Sequence, residues 1–89
     1  MMYERIAVTG AAGLIGSAVV RHLSQSDNVE VTAFDSLGAQ DLVPGSQVPI
    51  EHVDVADPKM VEILASIQPQ AVVHAAAHPG GKSLREPIE

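Results

Sequence analysis

A short, mostly apolar run that opens directly into three evenly spaced glycines constrains this chain more than any other feature. Residues 5–9 have the composition of a buried strand, and glycines follow at positions 10, 13 and 16. From residue 14 to residue 24, apolar side chains recur at helical spacing. A strand, a glycine turn and a helix in this order predict the first half of a β-α-β unit, which belongs to a parallel sheet.

Each glycine of the turn has its own physical reason. Gly10 permits a tight turn out of the strand, Gly13 omits a Cβ where a pyrophosphate would approach the backbone, and Gly16 lets the helix pack closely. The helix N-terminus adds free N–H groups and a partial positive charge. The turn therefore predicts a dinucleotide phosphate site, and helix packing alone is the competing explanation.

The rest of the chain alternates strands with one further helix. Strands are predicted at residues 29–34, 48–53 and 70–77, with Pro49 placing the third at a sheet edge. Residues 36–47 are predicted to form a loop with a short helical turn near residues 39–42. Asp57 caps the second helix, Pro58 starts it and Pro69 ends it.

Two apolar stripes are expected to face the sheet. The stripe on the first helix is Ile15, Ala18, Val19 and Leu23, and that on the second is Met60, Val61, Leu64 and Ile67. The element order β-α-β-loop-β-α-β predicts an α/β fold with a Rossmann-type parallel sheet.

The composition fits such a domain and argues against several classes of partner. The chain has 89 residues, 46% hydrophobic, and its only aromatic residues are Tyr3 and Phe34, so an aliphatic core is expected. A net charge of −6 without a Lys/Arg cluster argues against nucleic acid. No apolar run approaches the roughly 20 residues of a membrane span, so no membrane partner is expected. The absence of cysteine is compatible with a cytoplasmic location, which we expect.

An acidic residue ends the second predicted strand. Asp35 lies about 20 residues after the turn, where a carboxylate can accept both ribose hydroxyls of an adenosine. Its charge would repel a 2′-phosphate, and the neighbouring Ser36 is not an arginine that would compensate. These residues predict NAD rather than NADP, with a loop-capping role as the alternative for Asp35.

Two other motifs carry less weight. Gly81-Lys82-Ser83 resembles the end of a P-loop, but position 76, where that motif would begin, is alanine. His74 and His78 have the spacing of a helical metal pair, yet they lie at the end of a predicted strand and in the loop after it, where this spacing does not bring them together. No metal site is predicted.

Residues 9–16 resemble the T-G-x-x-G-x-I-G turn of extended short-chain dehydrogenases/reductases, which include NAD-dependent epimerases and dehydratases of nucleotide sugars. Three further patterns of the family agree. Asp54-Val55 supplies an acid after the third strand, and residues 74–77 match H-x-A-[AG]. Ser83 and Pro87 have the S-x-x-x-P spacing.

The resemblance implies a role for each matching residue. The backbone of Leu14 and Ile15 would lie along the pyrophosphate. Asp35 would bind the adenosine ribose, and Asp54 would bind the adenine amino group with Val55 against the ring. The floor beneath the nicotinamide ribose would be formed by Ala75, Ala76 and Ala77.

The chain departs from the family at its catalytic residues. The family's Tyr-x-x-x-Lys pair lies well beyond the fourth strand, and Tyr3, the only tyrosine here, is followed four residues later by Ala7. Without that phenolic base, hydride chemistry lacks its proton acceptor. We therefore expect residues 1–89 to be the N-terminal part of an NAD-binding domain, incomplete relative to the family's full domain and inactive alone.

The resemblance implies a longer enzyme that oxidises a sugar carbon of a nucleotide sugar transiently and then reduces it back. Another reductase or dehydrogenase of the superfamily and a non-catalytic dinucleotide-binding module remain alternatives. A homo-oligomer is expected, and the uncovered edge of the fourth strand should also make this chain self-associate or aggregate.

Overall fold

The computed structural model describes residues 4–36 and 38–75 and shows a four-stranded parallel sheet with two helices. The strands are β1 (Glu4–Thr9), β2 (Val29–Asp35), β3 (Ile50–His52) and β4 (Ala71–His74), and the helices are α1 (Leu14–Leu23) and α2 (Lys59–Ile67). The strand order is β3-β2-β1-β4, with each neighbouring pair parallel. The predicted fold class is confirmed, and β3 lies at an edge of this sheet as Pro49 indicated.

The two helices cover opposite faces of the sheet. Successive side chains of a strand point to opposite faces, so the fully buried Ala7 and Val8 of β1 face different layers. Val8 packs in a cluster with Val20 of α1, whereas Ala7 packs in a second cluster with Phe34 and Met60 of α2. Among residues 4–36 and 38–75, the buried apolar side chains are aliphatic except for the Phe34 ring.

The predicted stripes are confirmed in part, because Val19 and Leu23 of α1 and Leu64 and Ile67 of α2 pack against the core. In α1 the buried residues are Gly16, Ser17 and Val20, while Ile15 is 67% exposed and Ala18 is also exposed. In α2 Met60 is buried, but Val61 is 71% exposed. Apolar residues occur on more than one side of each helix, so helical spacing alone did not select the side that meets the sheet.

The connection between β2 and β3 contains a hairpin rather than a helical turn. Ile50 N donates to Asp41 O at 2.8 Å and Val43 N donates to Val48 O at 2.9 Å. Between these bonds, Leu42 and Pro49 form an isolated antiparallel bridge. The predicted helical turn near residues 39–42 is therefore wrong, and β3 is shortened to three residues because Val48 and Pro49 form the second arm of this hairpin.

As the sequence indicated, α2 begins after Asp57 and ends before Pro69, but the contacts at its C-terminus were not predicted. Pro58 already has helical dihedral angles, and Asp57 Oδ1 accepts a hydrogen bond from Lys59 N at 2.9 Å. The helix ends at Gln68, whose left-handed backbone has φ 50°. Arg5 Nε donates to the carbonyl oxygens of Ile67 and Gln68 at 3.0 and 3.1 Å, which ties β1 to the C-terminus of α2.

Part of the sequence prediction lies outside the described residues. The extension of β4 through Ala76 and Ala77 is one such case, and so are Tyr3 and His78. Within residues 4–36 and 38–75, neither helix combines the length and the apolar character that crossing a bilayer requires.

Candidate functional site

The predicted site residues meet at the edge of the sheet formed by the carboxyl ends of the strands. Gly10 follows β1, Asp35 ends β2, Asp54 comes soon after β3, and Ala75 follows β4. The chain passes from β1 to β2 on one side and later returns to place β4 on the other side of β1. The glycine turn therefore lies at the point where the strand order reverses, which is where open α/β sheets bind ligands.

Gly10 and Gly16 are required by the fold itself. Gly10 has φ 71°, a conformation that side chains other than glycine rarely adopt. A Cβ on Gly16 would lie 2.0 Å from Gly10 O and 2.7 Å from the Gly10 carbonyl carbon. The close approach that Gly16 permits is thus between α1 and the backbone of the turn.

Gly13 has no comparable structural reason to be glycine. An added Cβ would meet only Gly10 O, at an ordinary contact distance of 3.5 Å, and the backbone is extended with φ −80° and ψ 176°. Gly13 is exposed and forms the N-cap of α1 without a side-chain capping bond. Its open side therefore leaves space for a ligand at the N-terminus of the helix.

The N-terminus of α1 is suited to an anion. The first amides of a helix have no acceptor within the helix, and the helix dipole adds partial positive charge there. The first turn of α1 contains no acidic residue that would neutralise this charge. The side chains of Leu14 and Ile15 are both largely exposed, so the backbone at this end is accessible for a phosphate group.

The Asp35 carboxylate is fixed against the glycine turn. Its Oδ2 accepts a hydrogen bond from Ala12 N at 2.7 Å, and its Oδ1 accepts one from Ser36 N at 2.6 Å. The second bond is the local loop contact considered as the alternative role of Asp35. Because a carboxylate oxygen has more than one lone pair, both oxygens keep capacity for ribose hydroxyls.

Asp54 and Val55 lie in the turn that follows β3, beside the end of β2. Val53 N donates to Asp35 O at 2.8 Å, which joins this segment to the site. Asp54 Oδ1 accepts a hydrogen bond from Ala56 N at 2.9 Å, and Val55 is about half exposed at 45%. Both residues are accessible at the edge where the resemblance places the adenine.

On the side of the turn away from Asp35, a side-chain hydrogen bond joins β1 to β4. The buried Thr9 Oγ1 lies 2.6 Å from His74 Nδ1, and Ala75 N donates to Thr9 O at 3.0 Å. Sequence reasoning missed this pair because it depends on the Thr9–His74 register of two distant strands. Within the described ranges, no three or more His, Asp or Glu side chains are grouped to hold a metal ion.

A cavity of about 270 Å³ lies away from this site. It is next to Arg5, Glu30 and Ser66, at the amino ends of β1 and β2 and near the C-terminal end of α2. The glycine turn and Asp35 lie at the opposite ends of these strands. This cavity is therefore not part of the candidate site.

Comparison with protein families and known sequences relates this chain to a family of NAD-dependent enzymes. Residues 6–87 match the model of the NAD dependent epimerase/dehydratase family. The chain is 41% identical over 81 residues to dTDP-glucose 4,6-dehydratase 1 of Escherichia coli K12, an alignment that covers 82% of this chain and 22% of that protein. It is 30% identical over 81 residues to UDP-glucose 4-epimerase of Dictyostelium discoideum, covering 82% of this chain and 24% of that protein.

A solved structure agrees with these sequence relatives. UDP-glucose 4-epimerase of Thermus thermophilus, in complex with NAD, matches with a TM-score of 0.71 and 33% identity. The match covers 94% of this chain and 28% of that chain. The chain spans roughly a quarter or less of the length of the two curated relatives above.

Proposed function

Because the chain belongs to the NAD dependent epimerase/dehydratase family, as its motifs indicated, we propose that it forms the NAD-binding portion of an enzyme acting on a nucleotide sugar. The observation that carries this proposal is the contrast within the glycine turn. Gly10 and Gly16 are demanded by the fold, whereas the open side of Gly13 lies at the N-terminus of α1 and fits a pyrophosphate. The names of the relatives above, a dTDP-glucose dehydratase and UDP-glucose epimerases, support the substrate class.

Each part of NAD has a complementary group at this edge of the sheet. The backbone of Leu14 and Ile15 holds the pyrophosphate, with Gly13 leaving the room for it. Asp35 accepts the hydroxyls of the adenosine ribose, and Ser36 beside it supplies no cation for a 2′-phosphate. Asp54 and Val55 hold the adenine.

We assign the nicotinamide end of NAD to the residues that follow β4. Ala75, with Ala76 and Ala77 beyond the described residues, lines the floor beneath the nicotinamide ribose. The Thr9–His74 hydrogen bond holds the end of β4, and with it Ala75, beside the glycine turn. The two ends of the cofactor are therefore bound on either side of β1.

When bound, NAD would supply a hydride acceptor, and the residues named above would bind and orient it. The 89 residues contain no Tyr-x-x-x-Lys pair, so we propose that they are the N-terminal part of the NAD-binding domain. The proton acceptor and the residues that choose the sugar would come from the rest of a longer enzyme. A cytoplasmic location and a homo-oligomeric assembly stay predictions from the sequence.

Ligand binding to the purified chain tests the proposal. Unfolding is followed by circular dichroism with NAD, NADP and ADP-ribose, and affinities are measured by calorimetry. At a concentration 100 times its Kd, NAD should add about 2.7 kcal/mol to the free energy of unfolding and raise Tm by roughly 10–20 °C. NADP should bind more weakly, and Gly13→Val should bind neither. The absence of any shift at millimolar NAD would show that the site is not formed.

Turnover is the second readout. The purified chain should neither reduce NAD nor convert dTDP-glucose or UDP-glucose, because it lacks the phenolic base. Chromatography of the sugar after prolonged incubation measures this directly. Conversion of either sugar by the 89 residues would overturn the division of roles proposed here.

A further inference from the structure

The loop after Asp35 is held in place by a side chain of the neighbouring strand. His52, the last residue of β3, lies opposite Asp35 in the parallel register. Its Nε2 lies 3.1 Å from Ala39 O and 3.0 Å from Gln40 O. Both partners are carbonyl acceptors, so Nε2 carries the proton and donates to both.

These contacts are connected to the Asp35 carboxylate through a continuous set of hydrogen bonds. Ala39 N donates to Ser36 O at 3.1 Å, and Ser36 N in turn donates to Asp35 Oδ1 at 2.6 Å. A shift of the backbone at Ala39 would therefore move the amide that orients the carboxylate. His52 thus acts on Asp35 through this series of hydrogen bonds, without contacting it directly.

The charge of this loop explains why its position matters. Asp35 and Asp41 are the only charged residues from position 35 to position 41, and both are negative. Held by the Ser36 amide, the Asp35 carboxylate keeps its negative charge where it opposes an additional phosphate on the ribose. If the loop moved, the Ser36 amide would no longer fix the Asp35 carboxylate, which could then turn away and relieve that repulsion.

We propose that His52 is a positioning residue for the choice of cofactor: by holding the loop after Asp35, it strengthens binding of the adenosine ribose of NAD and disfavours the 2′-phosphate of NADP. This inference rests on the proposed NAD site. Nothing in the sequence pattern distinguishes His52 from the other histidines, since its role depends on the pairing of β3 with β2.

Two substitutions at His52 separate hydrogen bonding from packing. His52→Phe keeps a ring of similar size but removes the donor, whereas His52→Gln keeps an N–H at a similar distance from the backbone. We expect His52→Phe to raise the Kd of NAD and of ADP-ribose about fivefold, the effect of one lost hydrogen bond. It should also reduce the preference for NAD over NADP. His52→Gln should remain within about twofold of the wild type, and His22→Gln on α1 is the control for loss of an exposed histidine.

Amide hydrogen exchange gives a readout that needs no ligand. In His52→Phe the amides of residues 38–41 should exchange faster, while those of α1 should be unchanged. Unaltered exchange there, or unaltered NAD and NADP affinities in His52→Phe, overturns the inference. An equal loss in His52→Gln also overturns it, because packing of the imidazole would then be responsible. If His52→Phe does not fold, His52→Leu, which also lacks the donor, takes its place: weaker binding of NAD than by His52→Gln supports the inference, and equal binding overturns it.

The outcomes also separate this inference from the proposed function. Failure of the wild-type chain to bind NAD refutes the NAD site, and the exchange experiment still decides whether His52 holds the loop. Normal NAD binding by the wild type with no effect at His52 refutes only the inference.

Discussion

Gly16→Ala, a single added methyl group in the glycine turn, should destabilise the fold. The new Cβ would lie 2.0 Å from Gly10 O, so the helix or the turn must shift by roughly 1.4 Å to reach the 3.4 Å of ordinary contact. Overpacking against backbone of this kind costs about 3 kcal/mol. The better helix propensity of alanine offsets about 1 kcal/mol of this. The net loss of about 2 kcal/mol should lower Tm by roughly 8–16 °C.

Gly13→Ala, which adds the same methyl group three residues earlier, should leave the fold intact and weaken the binding of NAD. In Gly13→Ala the Cβ meets Gly10 O at 3.5 Å and the extended backbone suits alanine, so stability should change by less than about 1 kcal/mol. The methyl group would occupy the space through which a pyrophosphate reaches the amides of α1. Losing two charge-assisted hydrogen bonds costs at least about 3 kcal/mol, or roughly 100-fold in the Kd of NAD.

Thermal unfolding without ligand and calorimetric titration with NAD measure the two effects separately. Each variant serves as the matched control for the other, since both add one methyl group to the same turn. Retention of wild-type NAD affinity in Gly13→Ala would refute the assignment of the turn as the phosphate site. An unchanged Tm in Gly16→Ala would refute the packing argument.

Three further predictions concern selectivity, strain and the sheet edge. Asp35→Ala combined with Ser36→Arg should move the preference toward NADP, because Ser36 is exposed and an arginine there can reach a 2′-phosphate; unchanged affinity ratios in titrations with both cofactors would contradict this. Gln68→Gly should remove the strain of a left-handed backbone at the end of α2 and stabilise the chain by about 1 kcal/mol. This would raise Tm by roughly 4–8 °C, whereas a fall in Tm would show that the glutamine side chain is needed. The purified chain should self-associate through the edge of β4, where Val72 is 50% exposed, and Val72→Lys should weaken this in sedimentation experiments; a wild-type chain that stays monomeric at all concentrations would rule it out.

Local signals predicted the elements well, because they act over a few residues. The glycines at 10, 13 and 16 indicated the turn, and Asp57 with Pro58 indicated the start of α2. The predictions were wrong where one segment can adopt more than one local structure. Residues 39–42 have some helical character, yet Leu42 pairs with Pro49 in a hairpin that β3 stabilises from outside the segment.

The sequence by itself determined the order of strands and helices along the chain, the family and the residues at the carboxyl ends of the strands, because each depends on residue types at short spacing. Only the tertiary structure decided which side of α1 meets the sheet, and it also showed that Gly13, unlike Gly16, is left open. The contacts of Asp35 with Ala12, of Thr9 with His74 and of His52 with the loop likewise required it. These contacts join residues far apart in the chain, and their geometry follows from strand register and helix packing, which no local pattern encodes.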